Sequence, residues 1–239
     1  MPALAEADDE FKYVLKFRGA GHGTRALIAD LIGAEIARLL GLKVPEIVFL
    51  MLDEAFGRTE GDEEIQDLLQ GSRGRNLGVH YLSGAVTFDP VVNPVDAETA
   101  SCIVWLDAFI MNIDRTVKNT NILIWHKELW LIDHGSSLYF HYTWEDWKQK
   151  IASPFVNIRD HVLLPYADRL EEADRLARTL ITPDKIEEIV QLIPDAWLHT
   201  EETQTPGEMR AVYREFLTGR LTASASFIKE AIHARKQFI

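Results

Sequence analysis

The residues of this sequence that could do chemistry are concentrated between positions 112 and 135. Asp114 and Asn119 are five residues apart, and Asp133 follows a predicted hairpin with apolar runs at residues 122–125 and 129–132. The polar residues between the runs predict a turn, so the two ends of the hairpin meet in space. Phosphoryl transfer needs one carboxylate to orient a hydroxyl, plus an amide oxygen and a second carboxylate to hold Mg²⁺. The sequence therefore predicts one nucleotide and metal site.

The order of these groups along the chain is also informative. An aspartate, an asparagine five residues later, a hairpin and then Asp-x-Gly is the order of the catalytic and metal-binding loops of protein kinases. The stretch from Trp105 to Gly135 resembles the HipA-like kinases, a bacterial branch of the protein and lipid kinase fold. Residues 13–17, 25–27 and 37–45 resemble the small lobe of that family, so the resemblance covers residues 1 to 140.

The resemblance implies roles for several residues. Lys16 would contact the α- and β-phosphates of ATP, Asp114 would be the catalytic aspartate, and Asn119 and Asp133 would bind Mg²⁺. The fold would be α+β and two-lobed, with a small β-sheet lobe over residues 1–83 and a mostly helical lobe over residues 84–239. The two lobes together would form one kinase-like domain.

The acidic helix partner of Lys16 has two candidates. The resemblance favours Asp30, whereas helical periodicity favours Glu35, which falls within the apolar stripe and would need a buried partner. The adenine of ATP would lie between the lobes, where the backbone of Tyr81, Leu82 and Ser83 can read its edge.

Two features depart from the family pattern. Family members usually carry a histidine two residues after the catalytic aspartate, where this chain has Thr116, which predicts a weaker local hydrogen-bond network. The first strand and the glycine- and serine-containing phosphate loop of the family would precede Met1-Pro2. We therefore expect a truncated loop or a different cover over the phosphates.

The surrounding sequence predicts the elements that position these groups. Alternation and helical spacing predict strands at residues 11–17, 46–52 and 77–82, and a helix from Arg25 to Leu40 with Thr24 as N-cap and Gly41 as its stop. The acidic stretch at residues 57–74 predicts a solvated loop, and the glycine run at 19–23 favours a flexible turn over a phosphate cradle. Helices are predicted from Ala97 and over residues 166–180, 183–192 and 208–234.

The composition excludes several classes of protein. The 239 residues carry a formal net charge of −12, which disfavours binding of nucleic acid, and the single Cys102 cannot form an internal disulfide. No apolar run approaches the length of a membrane span, and the acidic N-terminus is unlike a signal peptide. We expect a cytoplasmic protein.

The predicted activity is Mg²⁺-dependent transfer of the ATP γ-phosphate to a serine or threonine hydroxyl of a protein. Two alternatives remain at this point: a regulatory module that binds ATP without catalysis, and a kinase of small molecules or lipids. The resemblance also implies an antitoxin or other regulatory partner as an expectation.

Overall fold

A computed structural model of the chain describes residues 2–58, 60–144, 146–198 and 205–238, and every predicted site residue lies in these ranges. The strands are β1 (Pro2–Glu6), β2 (Lys12–Lys16), β3 (Ile47–Leu52), β4 (Gly74–His80), β5 (Val86–Thr87), β6 (Ile122–Trp125) and β7 (Glu128–Leu131). The α-helices are α1 (Gly23–Leu39), α2 (Glu63–Gly71), α3 (Ala97–Ile110), α4 (Trp147–Lys150), α5 (Leu170–Leu180), α6 (Pro183–Gln191), α7 (Asp195–Leu198), α8 (Pro206–Thr222) and α9 (Ser224–Arg235).

The described residues up to position 80 form an antiparallel sheet with its helices, which we call the N-terminal part. The strand order is β1-β2-β4-β3, and the register pairs Lys16 on β2 with Leu77 on the central strand β4. Tyr13 and Leu15 are buried, whereas Val14 and Lys16 are half-buried on the other face, as the alternation in the sequence predicts. Lys16 therefore leaves β2 on the face opposite to the small apolar cluster around Leu15.

Helix α1 is buried on nearly all sides, which is typical of a helix enclosed between other elements. It contacts α3, α6 and α7 of the helices that follow the sheet. The predicted stop at Gly41 is confirmed, because this glycine has a φ of 75° just after the helix. The predicted N-cap is wrong: His22 occupies that position without a side-chain cap, and the Thr24 hydroxyl donates to the carbonyl of Trp197 instead, at 2.9 Å.

The described residues between 97 and 238, which we call the C-terminal part, are mostly helical. Its core surrounds α3, where Trp105 stacks on Phe109 with ring centroids 4.9 Å apart and also meets Phe227 of α9. The hairpin β6–β7 forms as predicted and adds β5 at its edge. The helix predicted over 208–234 is two helices, α8 and α9, which meet at Ala223.

Three local predictions in the N-terminal part need correction. β1 is a strand that the sequence reading missed, and it pairs along its whole length with β2. The acidic stretch predicted as a loop contains α2, whose N-cap Asp62 accepts hydrogen bonds from Glu64 and Ile65 and whose leucines pack against the cluster around Leu15. The strand predicted at residues 77–82 is β4, which runs from Gly74 to His80. It begins earlier than predicted because β3 pairs with it back to Gly74.

No helix among the described residues is both long and apolar enough to cross a membrane. The division at residues 83 and 84 remains a prediction.

The stability of the C-terminal part should depend on pH through His141. This side chain is buried with its Nδ1 3.0 Å from the Tyr213 hydroxyl, and burial lowers the pKa of His141 to about 3, with a smaller contribution from Arg25. In the unfolded chain a histidine titrates near pH 6.5. Below that pH the unfolded state binds a proton that the folded state does not, so stability is lost as the pH falls.

We expect the free energy of unfolding to fall by up to about 1.4 kcal/mol per pH unit from this group between about pH 6.5 and pH 4. Urea denaturation of His141→Gln should show a smaller pH dependence than the unaltered chain. His233→Gln is the control, because the side chain of His233 is exposed. An equal pH dependence in all three proteins would contradict this assignment.

Candidate active site

Three charged side chains, from β2, from α1 and from the loop after β7, meet on the face of the sheet that carries Lys16. The ammonium Nζ of Lys16 on β2 lies 2.7 Å from Oδ2 of Asp30 on α1 and 2.8 Å from Oδ1 of Asp133, just after β7. The second oxygen of Asp30 accepts the backbone N–H of His134 at 2.7 Å. Asp30 therefore links the sheet lysine to the loop that follows the hairpin.

Lys16 and Asp133 stabilise each other's charge, whereas burial and the charge of Asp133 raise the pKa of Asp30 despite the nearby Lys16 ammonium. Burial lowers the pKa of Lys16, but the charges of Asp30 and Asp133 outweigh it, so the net shift is upward. Burial raises the pKa of Asp133, but the nearby Lys16 ammonium outweighs it and the net shift is downward. Lys16 stays cationic and Asp133 stays ionised near neutral pH. The side chain of Asp133 remains 51% exposed, so the carboxylate can reach a ligand.

The alternative helix partner, Glu35, is excluded by the geometry. Glu35 pairs with Arg38 on the same helix, and Arg38 also donates to the carbonyl of Pro45 at 2.6 Å. Five residues of an α-helix correspond to a rotation of about 140° relative to Asp30. Glu35 therefore points away from Lys16, and the prediction based on periodicity was wrong.

The loop before the hairpin holds the carboxylate of Asp114 in place. Asn119 Nδ2 donates to Asp114 Oδ2 at 2.9 Å, and Asn121 Nδ2 donates to the same oxygen at 3.2 Å and to the Asp114 carbonyl at 3.1 Å. The Asp114 N–H donates to Asn112 Oδ1 at 3.0 Å. These bonds restrain one carboxylate oxygen, Oδ2. The other oxygen, Oδ1, has no hydrogen-bond partner among the described residues, so it is available to a ligand.

A buried arginine ties this loop to both ends of the hairpin. Arg115 donates to Asp107 on α3 at 2.5 Å, to the carbonyl of Asn121 before β6, and to that of Ile132 after β7 at 3.4 Å. Arg115 and Asp107 are fully buried. Burial raises the pKa of Asp107, but the charge of Arg115 and the hydrogen bond from His161 outweigh it, so the pKa lies far below its ordinary value.

The sequence reading missed this network. Its one local signal was Asp107, a carboxylate in the middle of the apolar helix α3 that requires a buried partner.

Thr116 stands where family members usually carry a histidine, but the loop around it is held by hydrogen bonds from another segment. Thr116 forms an antiparallel bridge with His161, and the neighbouring Val162 N–H donates to the Arg115 carbonyl at 3.0 Å. His161 Nε2 lies 2.9 Å from Asp107 Oδ2. Residues 161 and 162, which are distant in sequence, therefore support the loop at the position where a weaker hydrogen-bond network was predicted.

The donor set at the ends of the hairpin suits Mg²⁺. Asn119 uses its amide N–H₂ on Asp114, and Asp133 uses Oδ1 on Lys16. Among the residues that the structure describes, no side chain donates a hydrogen bond to Oδ1 of Asn119 or to Oδ2 of Asp133. Carboxylate and amide oxygens are hard ligands of the kind Mg²⁺ takes alongside substrate phosphates. No cluster of three or more His, Cys, Asp or Glu side chains among the described residues could hold a metal by itself.

Two adjoining cavities share Lys16 and Asp133. One, of about 390 Å³, is lined by apolar side chains together with Tyr81 and Leu82. The other, of about 360 Å³, contains Asp30 and the glycine-rich residues 20–23 at the start of α1. Two larger cavities, of about 540 and 550 Å³, touch none of the three charged residues.

Ser83 is not among the residues that line this site. Its carbonyl accepts a hydrogen bond from Trp125 Nε1 at 3.0 Å. Leu82 N–H has no hydrogen-bond acceptor among the described residues, whereas Tyr81 N–H is used by the Lys12 carbonyl at 2.8 Å. Of the two N–H groups, that of Leu82 is therefore the one left without an acceptor among the described residues.

Gly33 is required for the approach of α1 to the loop after β7. A Cβ on Gly33 would lie 2.6 Å from the Cβ of His134, far below a normal contact. Alanine gains about 1 kcal/mol over glycine in a helix, but overpacking typically costs about 1–3 kcal/mol, and the clash involves a rigid atom. We expect Gly33→Ala to be net destabilising in urea denaturation and to separate Asp30 from Lys16. Gly61→Ala, which meets no atom within 4 Å, should be neutral, and equal stability of both variants would contradict the expected clash.

Comparison with known proteins identifies the family. The family model described as HipA-like kinase matches residues 1–223. The chain belongs to the HipA-like kinase family. The match extends well beyond the 140 residues of the resemblance noted in the sequence. None of the curated protein sequences compared with the chain matches it significantly.

A solved structure supports the fold of this HipA-like kinase. The chain is similar to the crystal structure of the Helicobacter pylori proinflammatory kinase CtkA, with a TM-score of 0.54 and 16% sequence identity. The similarity covers 100% of this chain and 95% of that chain. The predicted α+β kinase-like fold, with an antiparallel sheet followed by a mostly helical part, is thereby confirmed.

Proposed function

We propose that this HipA-like kinase transfers the γ-phosphate of ATP to a serine or threonine hydroxyl of a protein in a Mg²⁺-dependent reaction. The observation that carries the proposal is the contact of Lys16 with both Asp30 and Asp133, at the end of the hairpin whose other end carries Asp114. This arrangement supplies a cation for the phosphates, metal-competent oxygens and a carboxylate for the acceptor.

The nucleotide would occupy the two adjoining cavities. The adenine fits the apolar cavity, where the free N–H of Leu82 can donate to its edge and Tyr81 lies alongside. The phosphates would then extend toward Lys16 and the start of α1. Lys16 is suited to this task because Asp30 fixes the ammonium at the wall of the cavity.

Asn119 and Asp133 would hold Mg²⁺, which would neutralise charge on the β- and γ-phosphates. Asp114 would orient the acceptor hydroxyl and accept its proton through the oxygen that Asn119 and Asn121 leave available. Arg115 contributes by keeping both ends of the hairpin in one arrangement, since it contacts the backbone before β6 and after β7.

The acceptor class is tested by following label from γ-labelled ATP into separated fractions of a bacterial lysate. The proposal predicts acid-stable label in protein, recovered as phosphoserine or phosphothreonine after hydrolysis. Label in the lipid or small-molecule fraction alone would favour the second kind of kinase. Binding of ATP without any transfer would favour a regulatory module.

A further inference from the structure

Residues 193–198, which we call the strap, connect the C-terminal part to the sheet in addition to the chain connection at residues 81–96 and the Lys16–Asp133 contact. The strap contains α7, and its Trp197 is 2% exposed although it lies on a short surface segment. Such burial requires neighbours from elsewhere in the chain, and the side-chain hydrogen bond and the ring contact of Trp197 are both with the N-terminal part.

The strap contacts the sheet through three groups. Trp197 Nε1 donates to the carbonyl of Arg75 on β4 at 2.9 Å, and its ring meets the edge of Phe49 on β3 with centroids 5.5 Å apart. Arg18, two residues after Lys16, donates to the carbonyl of Ala196 at 3.2 Å. Arg75 and the chain connection lie toward opposite ends of β4, roughly 17 Å apart at 3.4 Å per residue.

The strap also holds the start of α1. The Thr24 hydroxyl donates to the carbonyl of Trp197 at 2.9 Å. Asp30 follows six residues later on the same helix, a rise of about 9 Å. The rigid helix therefore transmits the position of Thr24 to the carboxylate that contacts Lys16.

The other side of the strap is fixed to the C-terminal part. Arg210 on α8 donates to the carbonyl of Ile193 and pairs with Asp195 at 2.5 Å. The strap is thus bonded to β4, α1 and the segment after β2 on one side and to α8 on the other. Other contacts between the two parts include the packing of α1, the Lys16–Asp133 pair and the contacts of Lys43 with Glu128 and Leu131 of β7.

We propose that Trp197 is a positioning residue for phosphoryl transfer, holding Lys16 and Asp30 in fixed places relative to Asp114 and Asp133. This inference rests on the proposed function. The Lys16–Asp133 contact joins the two parts of the molecule, so rotation of the sheet about the chain connection would break it. A misplacement of about 1 Å in such a site can lower a rate by about a hundredfold.

Two variants remove separate bonds of the strap; Thr24→Val is nearly isosteric, whereas Trp197→Phe also shortens a buried side chain, a loss that the control below reproduces. Trp197→Phe removes the indole N–H from the Arg75 carbonyl, and Thr24→Val removes the hydroxyl from the Trp197 carbonyl. Trp105→Phe is the matched control, because it removes the indole bond of Trp105 to Asp174, 2.9 Å long, within the C-terminal part.

Steady-state kinetics at a temperature where all variants are folded should separate positioning from stability. We expect kcat to fall about tenfold in Trp197→Phe and about fivefold in Thr24→Val, but to stay within twofold in Trp105→Phe. In an Asp30→Asn background, Trp197→Phe should lower kcat by less than twofold, because both changes act through the same contact. Fully multiplicative effects, or equal losses in the control, would overturn the proposal.

Hydrogen exchange provides a readout that does not require activity. Amides 27–37 of α1 should exchange at least threefold faster in Trp197→Phe and in Thr24→Val, while those of α3 are unchanged. If the wild-type chain transfers no phosphate but α1 is loosened in this way, the proposed function fails and the structural part of the strap inference stands. Unchanged exchange in α1 in both variants would overturn the inference in either case.

Discussion

Replacing Asp114 by asparagine is expected to lower phosphoryl transfer by about a thousandfold while leaving ATP affinity within about twofold. Loss of a general base costs about 10² to 10⁴ in rate, and asparagine has nearly the same shape as aspartate. Asn119 and Asn121 bond the side-chain and backbone oxygens of Asp114, and an amide oxygen can still accept those bonds. The loop should therefore keep its conformation and lose only its proton acceptor.

The measurement is a comparison of transfer rate and nucleotide affinity for Asp114→Asn against Asp160→Asn. Asp160 is an exposed carboxylate in the C-terminal part, so its variant should match the wild-type chain in both quantities. A transfer rate for Asp114→Asn within tenfold of wild type would remove Asp114 from the mechanism. A large loss of ATP affinity would show instead that the loop had been disturbed.

Replacing Lys16 by methionine is expected to lower kcat/KM for ATP by at least about a hundredfold. The ammonium neutralises Asp30 and Asp133 in the resting protein and would neutralise the phosphates during transfer. Without it, the buried Asp30 carboxylate keeps the His134 N–H as its one hydrogen-bond donor among the described residues, and breaking a buried pair typically costs about 3–5 kcal/mol. Lys16→Met should therefore lose stability as well as activity.

Lys12→Met is the matched control for this change. Lys12 is on the same strand as Lys16 but is exposed at its beginning, so its variant should retain both stability and kcat/KM. Kinetics at 10 °C, where both variants are expected to be folded, separate the two losses. Lys16→Met with unchanged kcat/KM for ATP would contradict the role assigned to the ammonium.

Much of the site could be predicted from local sequence. The hairpin places its own ends together, so the closeness of residues 114–121 and 133 follows from two apolar runs and a turn. The alternation of residues along β2 likewise predicted that Lys16 lies on the face opposite to the buried Tyr13 and Leu15. These are short-range patterns, and the backbone periodicities that produce them are visible in any single sequence.

The choice between Asp30 and Glu35 shows where periodicity fails. Helix α1 is buried on nearly all sides, so no single stripe identifies the face that meets the sheet. Only the packing of α1 against both parts of the molecule selects Asp30. The burial of Asp107 has the same origin, because its partners Arg115 and His161 are brought together by the fold and not by spacing.

The strap and α2 were also beyond local prediction, for different reasons. Nothing in the local sequence distinguishes Trp197 from any other buried tryptophan, because its contacts lie more than 120 positions away on β3 and β4. The helix α2 is short and acidic, so its capping aspartate was read together with a charged loop. Its apolar side chains find a partner only once the sheet has formed.

The most direct test of the account is transfer of label from γ-labelled ATP with Mg²⁺ by the wild-type chain, Asp114→Asn and Asp133→Ala measured side by side. The account predicts labelled protein with the wild-type chain and label at background with both variants, while Asp114→Asn still binds ATP. Transfer by Asp114→Asn at the wild-type rate, or ATP binding by the wild-type chain with no transfer to any acceptor, would contradict it.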